Sequence, residues 1–210
     1  MEITRFATIV TAALAIARSC AAQPPKPLQI TSPAGGTIVN PGQIVKVTVT
    51  SPANVRVEEV AVMSRGGSSG VATSVPAELS VQIPRDSDCG KYLVSVMGRT
   101  VSGQSVSAYL ELDVERPDAP TELAFLNDWR QLELRVGEDF HLNVLATFPD
   151  GSNLEVTESS RVTFRSSNTR VATVDRNGEI RGIGAGHAAV TATYTHGNRN
   201  VRIAVQVDVL

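Results

Sequence analysis

Apolar residues recur at every second position through most of this chain, and that spacing argues against a helical protein. Val45, Val47 and Val49 alternate with Lys46, Thr48 and Thr50. Val106, Ala108, Leu110, Leu112 and Val114 do the same, as do Phe140 to Ala146 and Val201 to Val209. A period of two puts one face of an extended strand in a core and the other in water. Gly, Pro, Asn and Asp break the runs at short intervals, and no 3.6-residue period competes with them. The predicted fold class is all-β, two tandem β-sandwiches of antiparallel sheets. Aromatics make up only 4% of residues, so the cores must be aliphatic.

The first 22 residues follow a different rule. Arg5 precedes a mostly apolar run from Phe6 to Ile16, and then come the small residues Ser19, Cys20, Ala21 and Ala22. This reads as a secretory signal peptide over 1–22, too short in its apolar run for a membrane span of ~20 residues. Residues 23–27 form a proline-rich N-terminal linker. Cys20 is a possible lipidation site, although Arg18 fits a lipoprotein signal poorly. Without the leader the chain keeps 17 basic and 20 acidic side chains and one thiol, Cys89, so it forms no internal disulfide. No basic cluster marks a nucleic-acid face. A membrane association is expected only if Cys20 carries lipid, and localisation is expected to be secreted, periplasmic or cell-surface.

The segment Glu115-Arg116-Pro117-Asp118-Ala119-Pro120 holds two prolines in four residues and reads as a domain boundary. The expected organisation is a sandwich over 28–115, a linker at 116–120 and a second sandwich over 121–210. Glu58-Glu59 breaks the strand phase as a bulge does. Arg65 to Gly70 reads as a mobile loop.

Two stretches resemble known families. Asp88-Cys89-Gly90-Lys91-Tyr92-Leu93-Val94 resembles the D-x-G-x-Y-x-C stretch of immunoglobulin domains, with Tyr92 as the corner residue and Val94 in place of the cysteine. In the second half, Gly137-Glu138, Phe164 to Asn168, Val171-Ala172-Thr173-Val174-Asp175, Asn177-Gly178, Gly182 to Gly186 and Thr191-Ala192-Thr193 follow in order. That order resembles the group 2 bacterial immunoglobulin-like domain, over about residues 120–210. Phe164 stands where that family usually has tryptophan. The resemblance implies a generally non-catalytic β-sandwich of surface and secreted bacterial proteins.

Candidate chemistry is sparse. The glycines at 182, 184 and 186 precede a strand, whereas a phosphate loop opens a helix. Asp175, Asn177 and Glu179 alternate like the start of a calcium loop, but Arg181 intrudes and an Asn-Gly hairpin accounts for them. His141, His187 and His196 show no zinc spacing, and no G-x-S-x-G elbow marks a hydrolase. The expectation is no enzyme, no cofactor and no metal. Partners are expected to be a protein or a surface glycan, with Trp129 and Phe125 as a possible binding platform. The acidic neighbours Asp86 and Asp88 are expected to hold Cys89 in its unreactive thiol form.

Overall fold

The structure, a computed structural model, describes residues 27–65 and 67–210. The leader over 1–22, Cys20 and all of the 23–27 linker except Pro27 lie outside the described residues.

Among the described residues, eight strands build the first half: β1 (Gln29–Ser32), β2 (Ile38–Val39), β3 (Ile44–Thr50), β4 (Val57–Ser64), β5 (Gly67–Ala72), β6 (Ala77–Gln82), β7 (Gly90–Thr100) and β8 (Ser105–Val114). They form one sheet in the order β1-β3-β6 and a second in the order β2-β8-β7-β4-β5. Alternate residues of both sheets, among them Val47, Val49, Val60, Val81, Val94, Val96, Leu112 and Val114, make an aliphatic core. Burial follows the period-two pattern strand by strand; β8 alternates exposed and buried for most of its length.

Ten strands build the second half: β9 (Glu122–Phe125), β10 (Gln131–Leu134), β11 (Asp139–His141), β12 (Val144–Thr147), β13 (Asn153–Glu155), β14 (Val162–Ser166), β15 (Ala172–Val174), β16 (Glu179–Gly182), β17 (Gly186–His196) and β18 (Arg199–Val209). The sheets run β10-β18-β17-β14, β11-β16-β15 and β13-β12-β9. Their inner faces enclose a separate core that includes Leu142, Val144, Phe148, Ile180, Val190, Tyr194, Val205 and Val207. Phe164 packs half-buried against it.

The ladder between β4 and β7 shifts register between Val57 and Glu59, where the two glutamates predicted a bulge. The predicted loop over Arg65 to Gly70 is largely strand instead. Ser64 pairs with Gly67 and Met63 with Ser68, so the chain returns along β4 almost at once. A Gly/Ser-rich segment lacks side chains that advertise a strand, but its backbone can still complete a sheet edge. A Cβ on Gly70 would stand 3.3 Å from Leu79, so the bare glycine also admits the neighbouring sheet.

Asn177-Gly178 turns β15 into β16, with Gly178 at φ 82°. Asp175 Oδ1 accepts hydrogen bonds from the amides of Asn177 and Glu179, at 2.8 and 2.9 Å, which ties the acidic side chain to the turn itself. A Cβ on Gly178 would sit 2.5 Å from the Leu142 carbonyl oxygen. Gly178→Ala is therefore expected to destabilise the second domain by at least about 2 kcal/mol, as positive-φ strain and backbone displacement add. A urea titration followed by Trp129 fluorescence checks this. Gly186 (φ 142°) is another motif glycine in a conformation that side chains avoid, with Val171 3.0 Å from where its Cβ would be.

Candidate functional site at the domain joint

Glu115 follows β8 directly and is fully buried, which for a carboxylate demands compensation. The compensation comes from the turn after β13. The Ser159 hydroxyl lies 2.8 Å from both carboxylate oxygens and donates to them. Ser160 donates to Oε1 twice, from its amide at 2.8 Å and its hydroxyl at 2.9 Å. The Arg161 guanidinium adds charge, with Nε 3.8 Å from Oε2. The Glu115 amide meanwhile donates to the Val39 carbonyl at 2.9 Å, so one residue is bonded into both domains.

Two arginines complete this side of the joint. Arg161 Nη1 donates to the Arg116 carbonyl at 2.6 Å and lies 2.6 Å from His196 Nδ1 and 3.4 Å from the Tyr194 hydroxyl. A guanidinium only donates, so in this contact His196 Nδ1 is the acceptor. The Arg116 guanidinium stands 5.1 Å from the Phe148 ring centroid and ion-pairs with Asp150. Its Nε, shielded from solvent, has no hydrogen-bond partner among the described residues. Hydrogen bonds from Ser152, with Arg116 beside it, hold the Asp150 carboxyl down at about 2. Because that value is depressed, the contribution to stability is present above the ordinary carboxylate range and is lost as pH falls from about 4 towards 2. A carboxyl titration by NMR should show the Asp150 inflection move up when Ser152 is replaced by alanine.

The opposite side of the joint is noncovalent. Asp88 Oδ1 accepts from the Glu155 amide, and the Cys89 amide donates to the Glu155 carbonyl, both at 2.9 Å. Gly90, at φ 125°, lies so close to the second domain that a Cβ would fall 2.9 Å from the Glu158 carbonyl carbon. The Asp88-Cys89-Gly90 stretch, which resembles an immunoglobulin corner in sequence, thus forms a seam between domains. Tyr92, two residues on, is buried in β7.

Cys89 is 4% exposed and belongs to the core of the second domain although it precedes β7 of the first. Burial, followed by the charge of Glu115, pushes its thiol up to about 11. The cause is therefore burial and Glu115 rather than the expected Asp86 and Asp88. The favourable burial of the neutral thiol is complete below about 9 and is lost as pH rises towards 11. A disulfide reagent at neutral pH is expected to leave Cys89 untouched in the folded protein and to label it fully in denaturant.

The predicted aromatic platform does not form. Phe125 is only 2% exposed and belongs to the second core, because alternation in β9 turns it inward with Leu123. Trp129 is 40% exposed and meets Phe140 edge to face, centroids 5.7 Å apart. Trp129→Ala is expected to cost about 0.5–1.5 kcal/mol through that ring contact, measurable by thermal unfolding. Among the described residues no group of three or more His, Cys, Asp or Glu side chains is placed to hold a metal ion, and no helix is long and apolar enough to cross a membrane.

The joint is missed by a reading of alternation alone. Its one sequence signal is Glu115, a charged residue immediately after the strand that ends Leu112-Asp113-Val114.

The family model of the bacterial Ig-like domain (group 2) matches residues 130–205. No curated protein matches the chain. Similar solved structures include the fibronectin(III)-like modules of Clostridium thermocellum CbhA, at 13% identity and TM-score 0.38 over 87% of this chain and 93% of that one. The S-layer protein SbsC domains 4 and 5 align at 18% identity and TM-score 0.36, over 62% and 68% of the two chains. The Parabacteroides merdae β-glucuronidase aligns at 14% identity and TM-score 0.39, over 88% of this chain and 24% of that one. At such identities and scores neither activity nor partners transfer to this chain. Residues 130–205 carry the pattern of a group 2 bacterial immunoglobulin-like domain, and the half that precedes them is a β-sandwich of two sheets with a core of its own.

Proposed function

We propose that this chain is a non-catalytic, extracytoplasmic spacer and interaction protein of the bacterial envelope or secretome, acting as one stiff two-domain arm. The observation that carries the reading is the state of Glu115. Its carboxylate is sealed from solvent and held by three donors within 2.9 Å, so it is occupied in joining the domains and out of reach of a substrate. Bacterial immunoglobulin-like domains are generally non-catalytic modules of extracellular type, which supports the same reading. Carbohydrate binding, the alternative, keeps Trp129 but loses Phe125 from the predicted platform.

Small-angle scattering of the full chain tests the spacer role. A single pair-distance distribution, unchanged between low and high salt, is expected; a broad, salt-dependent distribution would contradict it. Export is tested by fractionating expressing cells and sequencing the mature N-terminus. Cleavage after Ala22 is expected for a soluble product, whereas a lipid-bearing N-terminal Cys20 would place the protein on a membrane.

A further inference from the structure

We propose that the outer face of the β14-β17-β18 sheet binds a carboxylate-bearing polysaccharide, an inference that rests on the interaction reading and names its ligand class. An open groove of about 480 Å³ lies there, within the second domain, and every side chain that lines it is polar. Strand register fixes how it is built. Thr163 of β14 pairs with Thr193 of β17, which pairs in turn with Arg202 of β18. One side-chain repeat along, Arg165 pairs with Thr191, which lies opposite Ala204. The alternate residues Val162, Val190, Ala192, Tyr194 and Val205 are buried, so the threonines and arginines are turned to solvent.

Two properties of this face point to its ligand. The first is charge. Arg165 and Arg202 are exposed, and neither makes an ion pair or hydrogen bond with another described residue. Among the outward residues of β10, β14, β17 and β18 the carboxylates are Glu133 and Asp208, at least two side-chain repeats further along. Asp208 is already engaged by Gln131 and His187. In a chain of formal net charge −2, two uncompensated guanidiniums make a local positive field that draws in an anion. The second property is hydrogen-bonding capacity. The hydroxyls of Thr163, Thr191, Thr193 and Thr195 and the Asn200 amide make no hydrogen bond with another described residue, so all of them are available to a ligand.

Geometry selects among anions. A guanidinium fork matches the two oxygens of a carboxylate. The two arginines stand two strands apart, about 10 Å across the sheet, and one repeat out of step along it. That spacing fits two carboxylates on one repeating chain rather than a single small anion. The hydroxyls and amide around them match the hydroxyls of sugar rings. A peptide, by contrast, is held by side chains anchored in apolar pockets, and the lining of this groove offers none.

The experiment is titration calorimetry of the full chain with four soluble probes: polygalacturonate oligomers, neutral dextran, dextran sulfate and poly-glutamate. Polygalacturonate is expected to bind, more weakly as salt rises, and neutral dextran to give no heat. Arg165→Gln and Arg202→Gln are each expected to weaken polygalacturonate binding by about tenfold, the loss typical of one charge-assisted contact. Both side chains are exposed, so thermal unfolding of these variants should match the parent. Thr193→Val keeps the shape beside Arg202 but removes the hydroxyl, and should weaken binding to a smaller extent. No binding of polygalacturonate, or binding that both arginine variants retain in full, would overturn the proposal. Equal binding of poly-glutamate would overturn it in favour of a protein-docking face, and equal binding of dextran sulfate in favour of a response to charge alone. Because the groove lies in one domain, its failure would leave the scattering result for a stiff spacer untouched. A loose joint would count against the spacer reading alone, with polygalacturonate binding unchanged.

Discussion

Truncation of Glu115 to alanine is expected to cost the protein about 3–5 kcal/mol, the penalty typical of removing one partner from a buried, hydrogen-bonded charge cluster. Three effects add. The Ser159 hydroxyl loses its acceptor in a site that is itself 4% exposed, as do the Ser160 amide and hydroxyl. Arg161 keeps its charge but loses the carboxylate beside it. A void is left where the Glu115 side chain enters the second domain. Glu115→Gln keeps an acceptor oxygen and the shape while removing the charge, so its cost should be smaller, about 1–3 kcal/mol. Urea unfolding followed by Trp129, the chain's only tryptophan, measures both variants against the parent. Equal, negligible costs would mean that water takes the place of the carboxylate and that the joint is loose.

The second large effect is expected at Gly90. A valine there brings branched methyls to a position where a Cβ alone would already crowd the Glu158 backbone at 2.9 Å, in a φ region costing roughly 1–3 kcal/mol for a side-chain residue. The obstacle is main chain, which cannot rotate aside. The second domain must back away, breaking the two bonds between Glu155 and the Asp88-Cys89 segment. Cys89 then gains solvent, and its thiol should fall from about 11 back towards 9. Gly90→Val is thus expected to make Cys89 react with a disulfide reagent at mildly alkaline pH while the first core, anchored by Val47, Val60 and Leu112, stays folded. Unchanged thiol reactivity would show that the seam tolerates a side chain.

The long strands were legible in the sequence because a half-buried strand must alternate. β3, β7, β8, β17 and β18 all follow from their alternating apolar residues. The strands left unread are short or lack a side-chain pattern. β2 has two residues, and β5 is Gly/Ser-rich, so backbone pairing rather than composition defines them. The Asn177-Gly178 hairpin was legible because only glycine enters that turn without strain. The joint was harder to see. Its parts come from five separated stretches, 88–90, 115–116, 148–152, 155–161 and 194–196, and polar residues near turns look solvated until the fold brings them together. Phe125 was misplaced for a related reason: an aromatic beside a loop resembles a platform until the pairing of β9 with β12 sets its face.

All of this depends on the two sandwiches moving as one body through the bonds at Glu115 and Glu155. Residual dipolar couplings measured on the full chain in a weakly aligning medium test that directly. A single alignment tensor fitting the amides of both domains is the predicted result, splitting into two in Glu115→Ala. Two independent tensors in the unaltered protein would contradict it.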